Sequence, residues 1–214
     1  MTGLRGKFIV LDGGEGCGKT TQIQLLTKAL TSRGAAVLAA RDPGATAVGE
    51  QIRAILLSPD HHEMSMRCEM LLYMAARAQL MKQFILPALA AGSCVLCDRF
   101  VPSTLAYQAG GDGLTAREIM SVAEIAIAGR WPDLTILLDI PVETAAERRV
   151  GMQKDRIEQR SLDYHLRVRQ RYLDQASADP KGFVVVNAAQ PLEAVGDAVW
   201  SAIASAFPTR DCCH

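Results

Sequence analysis

The stretch Phe8–Leu26, FIVLDGGEGCGKTTQIQLL, restricts the fold more than any other part of the chain. An apolar run leads into a burst of glycines. The burst ends in Lys-Thr-Thr, and an amphipathic stretch follows, so the segment reads as strand, loop and helix. Within it, Gly13–Thr20 satisfies G-x-x-x-x-G-K-[ST]. Glycines let successive backbone N–H groups turn inward around phosphate oxygens. The helix that follows offers its positive end to the same anion. The pattern assigns Gly13, Gly14, Glu15, Gly16, Cys17, Gly18, Lys19, Thr20 and Thr21 to a loop that binds a nucleoside triphosphate. Lys19 reaches the β- and γ-phosphates, and the Thr20 hydroxyl is placed to hold Mg2+. An incidental glycine turn is the competing explanation, but a strand before and a helix after are the context that confirms the motif. The G-x-G-x-x-G spacing of a dinucleotide site is absent.

The rest of the chain alternates short apolar runs with longer helical patterns. Strands are expected at Lys7–Leu11, Ala36–Arg41, Ser93–Asp98, Leu134–Asp139 and Gly182–Asn187. Helices are expected at Lys19–Ser32, Val48–Leu57, Glu63–Ala90, Thr115–Ala128, Val142–Val150, Gln159–Ala176 and Leu192–Ala206. That alternation predicts an α/β fold, a parallel sheet covered by helices on both faces, with ligands beyond the carboxyl ends of the strands. At 214 residues, with no repeat and no dividing linker, the chain is expected to be one domain. Its 23 basic and 23 acidic residues cancel, which gives no electrostatic reason to expect nucleic acid or an anionic membrane as partner. The N-terminus carries no signal-peptide pattern and no apolar run approaches a membrane span, so the cytoplasm is the expected location. Cys94 and Cys97 resemble a C-x-x-C pair. On a strand, however, positions three apart face opposite sides, so core cysteines are expected and not a metal or disulfide site. The terminal Cys-Cys-His is expected to be a frayed tail.

A phosphate loop does not say what receives the phosphate. The guanine motif N-K-x-D is absent. Strand-end acids fall at Asp98 and Asp139, and Arg99 follows Asp98 directly. An acid across from Thr20 can hold the metal's water shell, and an adjacent arginine can clamp a second phosphate bidentately. A surface ion pair is the plainer alternative for Asp98 and Arg99.

Seven blocks in order carry a resemblance over nearly the whole chain: FIVLDGGEGCGKTT, RDPGATAVGEQIR, LLYMAARAQL, DRFVPSTLAYQAGG, PDLTILLDI, DRIEQRSLDYHLRVRQRYL and VVNAAQPLEAV. The chain resembles the bacterial type of thymidylate kinase. The resemblance implies a homodimeric P-loop kinase with strand order 2-3-1-4-5 that moves the γ-phosphate of ATP to dTMP. It implies that Glu15 meets the acceptor's 3′-hydroxyl and that Arg53 and Arg99 grip the dTMP phosphate. Tyr73 would stack on thymine, Arg77 would donate to its O4, and Thr104, Tyr107 and Gln108 would complete the base pocket. Tyr73 and Arg77 lie four apart and share a helix face. Without the neighbouring blocks they would read as a core tyrosine and a surface arginine.

Between two expected helices, Arg148, Arg149, Lys154, Arg156 and Arg160 form a basic run. Solvated charge is the usual meaning of such a run. Here the P-loop has no arginine of its own, and phosphoryl transfer wants a cation over the transferring group. Residues 148–160 are therefore expected to act as a lid, with Lys19, Arg99 and Asp98 beneath it. Arg156 in DRIE is the closest match to the catalytic lid arginine and Arg149 is the alternative. The chain departs from the family pattern at Asp42, Ala45 and Phe100, which stand for the usual Glu, Gly and Tyr. A monophosphate kinase of other base specificity, or a regulatory P-loop NTPase, are the rival functions. The paired acceptor-site arginines and the basic lid speak against the second.

Overall fold

The computed structural model describes residues 2–151 and 153–208. Five strands, β1 (Phe8–Asp12), β2 (Val37–Arg41), β3 (Cys94–Asp98), β4 (Leu134–Asp139) and β5 (Phe183–Asn187), form one sheet of order β2-β3-β1-β4-β5. Every pair is parallel. The fold class and strand order match the expectation, and each strand lies within one residue of its expected bounds. The central strands β1 and β3 are buried along their whole length, whereas the edge strands β2 and β5 are partly exposed. Continuous apolar runs at the centre are what a sheet covered on both faces requires.

Side-chain alternation gives the sheet two core-facing sides. Ile9, Leu11, Leu96 and Ile136 face α1 (Lys19–Thr31) and α9 (Leu192–Ala206). Phe8, Val10 and Val95 face the opposite layer, led by α3 (Met66–Leu80) and α6 (Ala116–Ala126). α4 (Leu86–Ala90) and the start of α5 (Val101–Gln108) join that layer and α2 (Ala47–Leu57) packs on α3, whereas α8 (Leu162–Ala178) forms a third cluster with Tyr107, Leu137 and Phe183. The short α7 (Val142–Glu147) leads from β4 toward the basic run at 148–160.

Two departures from the expected helices have local causes. The run expected over Glu63–Ala90 begins at Met66, where the Ser65 hydroxyl accepts from the Cys68 N–H, and it changes to a π-helical turn at Met81–Ile85. Pro87 lies just beyond, and a residue without an N–H disrupts the regular ladder there. The second departure is α5, absent from the expected set. Pro102 sits in its first turn, the one helical place that tolerates proline. In the bare sequence the same proline reads as a break.

Cys94 belongs to one core layer and Cys97 to the other, as their spacing predicts. Burial pushes the Cys94 thiol up to about 11 and that of Cys97 well above its usual range, so both stay protonated and inert. The terminal Cys-Cys-His lies outside the described residues. We therefore expect alkylation of the native protein, mapped by mass spectrometry, to label exposed Cys68 before Cys94 and Cys97. The strand cysteines should react only after denaturation. A native Cys94–Cys97 disulfide would contradict this packing.

Candidate active site

The site begins where β1 ends. Asp12 is fully buried, and its carboxylate accepts from the backbone N–H groups of Gly13 (2.8 Å), Phe100 (3.3 Å) and Ser103 (3.1 Å). It also accepts from the hydroxyls of Ser103 and Tyr172, both at 2.7 Å. The loop then turns through Gly13 at φ 141°, where a Cβ would lie 2.5 Å from the Leu138 carbonyl oxygen. At Gly16, φ is 70° and a Cβ would lie 2.8 Å from the Ala145 oxygen. Glycine is required at both points. Gly18, at φ 92°, precedes α1 without a side-chain cap. The helix N-terminus thus leaves its N–H groups open toward the loop. The Lys19 ammonium folds over the loop and donates to the carbonyls of Gly13 (3.2 Å) and Gly14 (2.8 Å).

Parallel register brings β3 alongside, with Asp98 opposite Leu11. The Thr20 hydroxyl donates to the Asp98 carboxylate at 2.7 Å. Arg99 leaves the strand in the left-handed region, φ 69°. Its guanidinium donates to the Gly13 carbonyl (2.9 Å), Ser103 Oγ (3.0 Å) and the Tyr172 hydroxyl (3.2 Å), and pairs with Glu15. Burial pushes the Glu15 carboxyl up, but Arg99, Lys19, Arg149 and Arg53 outweigh it and hold the group near 2. Glu15 is therefore an anion among cations at the mouth of the loop.

A cavity of about 490 Å3 opens from there. Glu15, Gly16, Gly18, Lys19, Thr20, Thr21, Arg53, Tyr73, Arg77, Asp98, Arg99, Thr104, Tyr107, Gln108 and Arg149 all line it. Of these, Arg77 is only 1% exposed. It pairs with Asp42 at 2.5 Å and donates to Thr104 Oγ1 and the Phe100 carbonyl, both at 3.1 Å. Arg53 donates to the Pro43 carbonyl at 3.1 Å. The second strand-end acid, Asp139, is held by Arg169 through two hydrogen bonds and does not line this cavity.

The residues of the basic run at 148–160 divide. Arg149 reaches Glu15 at 3.3 Å and pairs with Glu158, and Arg148 lines the cavity beside it. Arg156, expected over the phosphates, is elsewhere. It is buried, donates through Nε to the Leu56 carbonyl (2.9 Å) and pairs with Glu69 at 2.6 Å. Its side chain is committed to helices α2 and α3, and it does not line the cavity.

Sequence reasoning missed Asp12, Ser103, Tyr172 and Glu69. Asp12 offered one signal, an acid at the last strand position before the glycines. Glu69 offered another, standing four residues before Tyr73 and eight before Arg77 on the same helix stripe.

The sequence profile described as thymidylate kinase matches residues 11–199. The thymidylate kinase of Desulforudis audaxviator (strain MP104C) is 43% identical over 208 residues, covering 97% of this chain and 94% of its own. That of Alcanivorax borkumensis (strain ATCC 700651 / DSM 11573 / NCIMB 13689 / SK2) is 45% identical over 195 residues, 90% and 93% of the two chains. That of Pelotomaculum thermopropionicum (strain DSM 13744 / JCM 10971 / SI) is 47% identical over 189 residues, 87% and 88%. Matches of this extent, running from β1 into α9, show that the chain belongs to the thymidylate kinase family.

Proposed function

We propose that this protein transfers the γ-phosphate of ATP to dTMP, giving dTDP and ADP. One observation supports the reading: Lys19 of the phosphate loop and the buried Arg77 guanidinium line one and the same cavity. Donor phosphates sit by Lys19 and the acceptor base by Arg77. The phosphate of dTMP lies between them, within reach of Arg53 and Arg99. An oxygen of that phosphate attacks the γ-phosphorus, the bond to the β,γ-bridging oxygen breaks, and ADP leaves. Covalent chemistry asks little of the protein, so positioning and charge neutralisation do the work. Lys19 exchanges loop carbonyls for phosphate oxygens. Arg99 exchanges Glu15 for the acceptor phosphate, which frees Glu15 for the sugar hydroxyl.

Thr20 and Asp98 are hard oxygen donors 2.7 Å apart at the strand end, and they fit Mg2+ or its water shell. The bound ion would neutralise charge on the donor phosphates. We assign the lid, residues 148–160, as a moving part of one catalytic unit. Arg149 is its cation over the transferring group, since Arg156 is held at the lid's base.

We also infer a homodimer. Helices α2, α3 and α6 pack side by side, and Val48, Ile55, Leu71, Met120 and Ile125 stand exposed on them. A shared apolar face of that kind suits a self-complementary interface. No helix among the described residues is long and apolar enough to cross a membrane. We place the enzyme in the cytoplasm with its nucleotide substrates.

A coupled ADP-release assay with MgATP should show preference for dTMP over dCMP, CMP and AMP. ADP release with CMP or AMP and none with dTMP would refute the specificity. Arg149→Ala should lower kcat by about 100-fold with little change in KM for dTMP, as for a donor engaged in the transition state. A near-normal kcat would remove Arg149 from that role. Light scattering after gel filtration should report a dimer for the native chain and a monomer for Leu71→Glu/Ile125→Glu. A dimer that survives both charges would exclude this face.

A further inference from the structure

Glu69 lies on α3, outside the residues that line the cavity, and it is fully buried. One carboxylate oxygen accepts from Gln108 Nε2 at 2.7 Å. The other accepts from Arg156 at 2.6 Å and from Arg160 at 2.8 Å. A single carboxylate therefore joins a residue of the acceptor pocket to two residues of the lid's base. The lid end of this joint is firm. The Arg156 backbone N–H donates to the Leu57 carbonyl (3.2 Å), its side chain holds the Leu56 carbonyl, and the Arg160 guanidinium lies 4.6 Å from the Tyr164 ring centre.

We propose that Glu69 is a positioning residue that sets which end of the Gln108 amide faces the acceptor base and, through the same carboxylate, anchors the base of the lid. The inference rests on the dTMP kinase reading above. An ionised carboxylate only accepts hydrogen bonds. It therefore draws the NH2 end of Gln108 to itself and leaves the carbonyl oxygen for the cavity. An acceptor there suits a base whose ring nitrogen N3 carries a proton, as thymine does. It opposes cytosine, whose N3 is itself an acceptor. Arg77 at the same wall presents donors, which suit the O4 carbonyl of thymine and oppose the amino group of cytosine. Glu69 thereby acts on base choice without touching the base. Because its second oxygen holds Arg156 and Arg160, the lid hinges from the wall that reads the acceptor.

Glu69→Gln separates this role from simple packing. The variant keeps the shape, but the two arginines hold its carbonyl oxygen and turn its NH2 toward Gln108, so the Gln108 amide must flip. We expect a cooperative melt and a lowered kcat. The ratio of kcat/KM for dTMP over dCMP should fall at least about 10-fold, since losing a matched polar contact relaxes discrimination strongly. A carboxylate with only a structural role would depress both substrates alike and leave the ratio intact, and that outcome overturns the proposal. If Glu69→Gln does not fold, Gln108→Met and Arg160→Ala decide. Gln108→Met breaks the link to the pocket and leaves the arginine pairs; it should collapse the ratio. Arg160→Ala weakens the lid anchor and leaves Gln108 held; it should lower kcat and keep the ratio. Either variant giving the opposite pattern refutes the coupling. A wild-type enzyme that ignores dTMP would instead refute the underlying function, so the two failures are distinguishable.

Discussion

The buried carboxylate of Asp12 is the interaction on which the site depends. Isolated, a charge so placed would be prohibitively costly, and only a full set of donors makes it tolerable. The five groups that donate to it come from the start of the phosphate loop, the turn after β3, the first turn of α5 and the middle of α8. None of these segments is adjacent in sequence to more than one other. The same cluster stabilises Arg99 in a left-handed backbone conformation that costs a non-glycine residue on the order of 1–3 kcal/mol. From that position the Arg99 guanidinium reaches Gly13, Ser103, Tyr172 and Glu15 at once. The phosphate loop, Arg99 and helix α5 are therefore one polar assembly.

Magnitudes separate this assembly from the many ion pairs on the surface. Exposed pairs such as Arg67–Glu118 and Arg41–Glu50 contribute about 0–1 kcal/mol each. Removing one partner from a buried pair costs about 3–5 kcal/mol, because a charge is left without compensation. Three such buried centres surround the cavity: Asp12, the Asp42–Arg77 pair, and Glu69 with its two arginines. Asp42 is the least satisfied of them. Its Oδ1 has no protein partner, and burial pushes its carboxyl upward against the pull of Arg77. The chain resembles a family in which a glutamate usually stands there, and the shorter aspartate reaches Arg77 with one oxygen only.

Much of this was legible in the sequence, for reasons specific to each element. Strands of a parallel sheet are short apolar runs between helices, so all five stood out. The phosphate loop declares itself because its backbone geometry permits few residues other than glycine. That Tyr73 and Arg77 line one cavity was legible through family resemblance, helped by their spacing of four. What escaped depended on partners distant in sequence. Arg156 and Arg149 are both arginines in one basic run, and nothing local tells which faces the cavity. Glu69, eighty-odd residues upstream, draws Arg156 away. Helix α5 escaped because Pro102 permits both a break and a helix start. The π-helical turn depends on how the chain accommodates Pro87 against the core.

The strand order also governs how the chain comes into being. β1 lies at the centre of the sheet, yet its neighbours β3 and β4 are encoded far downstream, its first partner in register being Val95. During synthesis this fully buried strand leaves the ribosome with nothing to pair with. Asp12 must wait for Ser103, and then for Tyr172, before its donors are complete. Long-range parallel pairing is slow, and unpaired strands are where nascent chains associate wrongly. The phosphate loop is thus written among the first twenty residues and becomes usable only when most of the polypeptide is finished. Nucleotide can stabilise the completed enzyme but has no foothold on its early fragments.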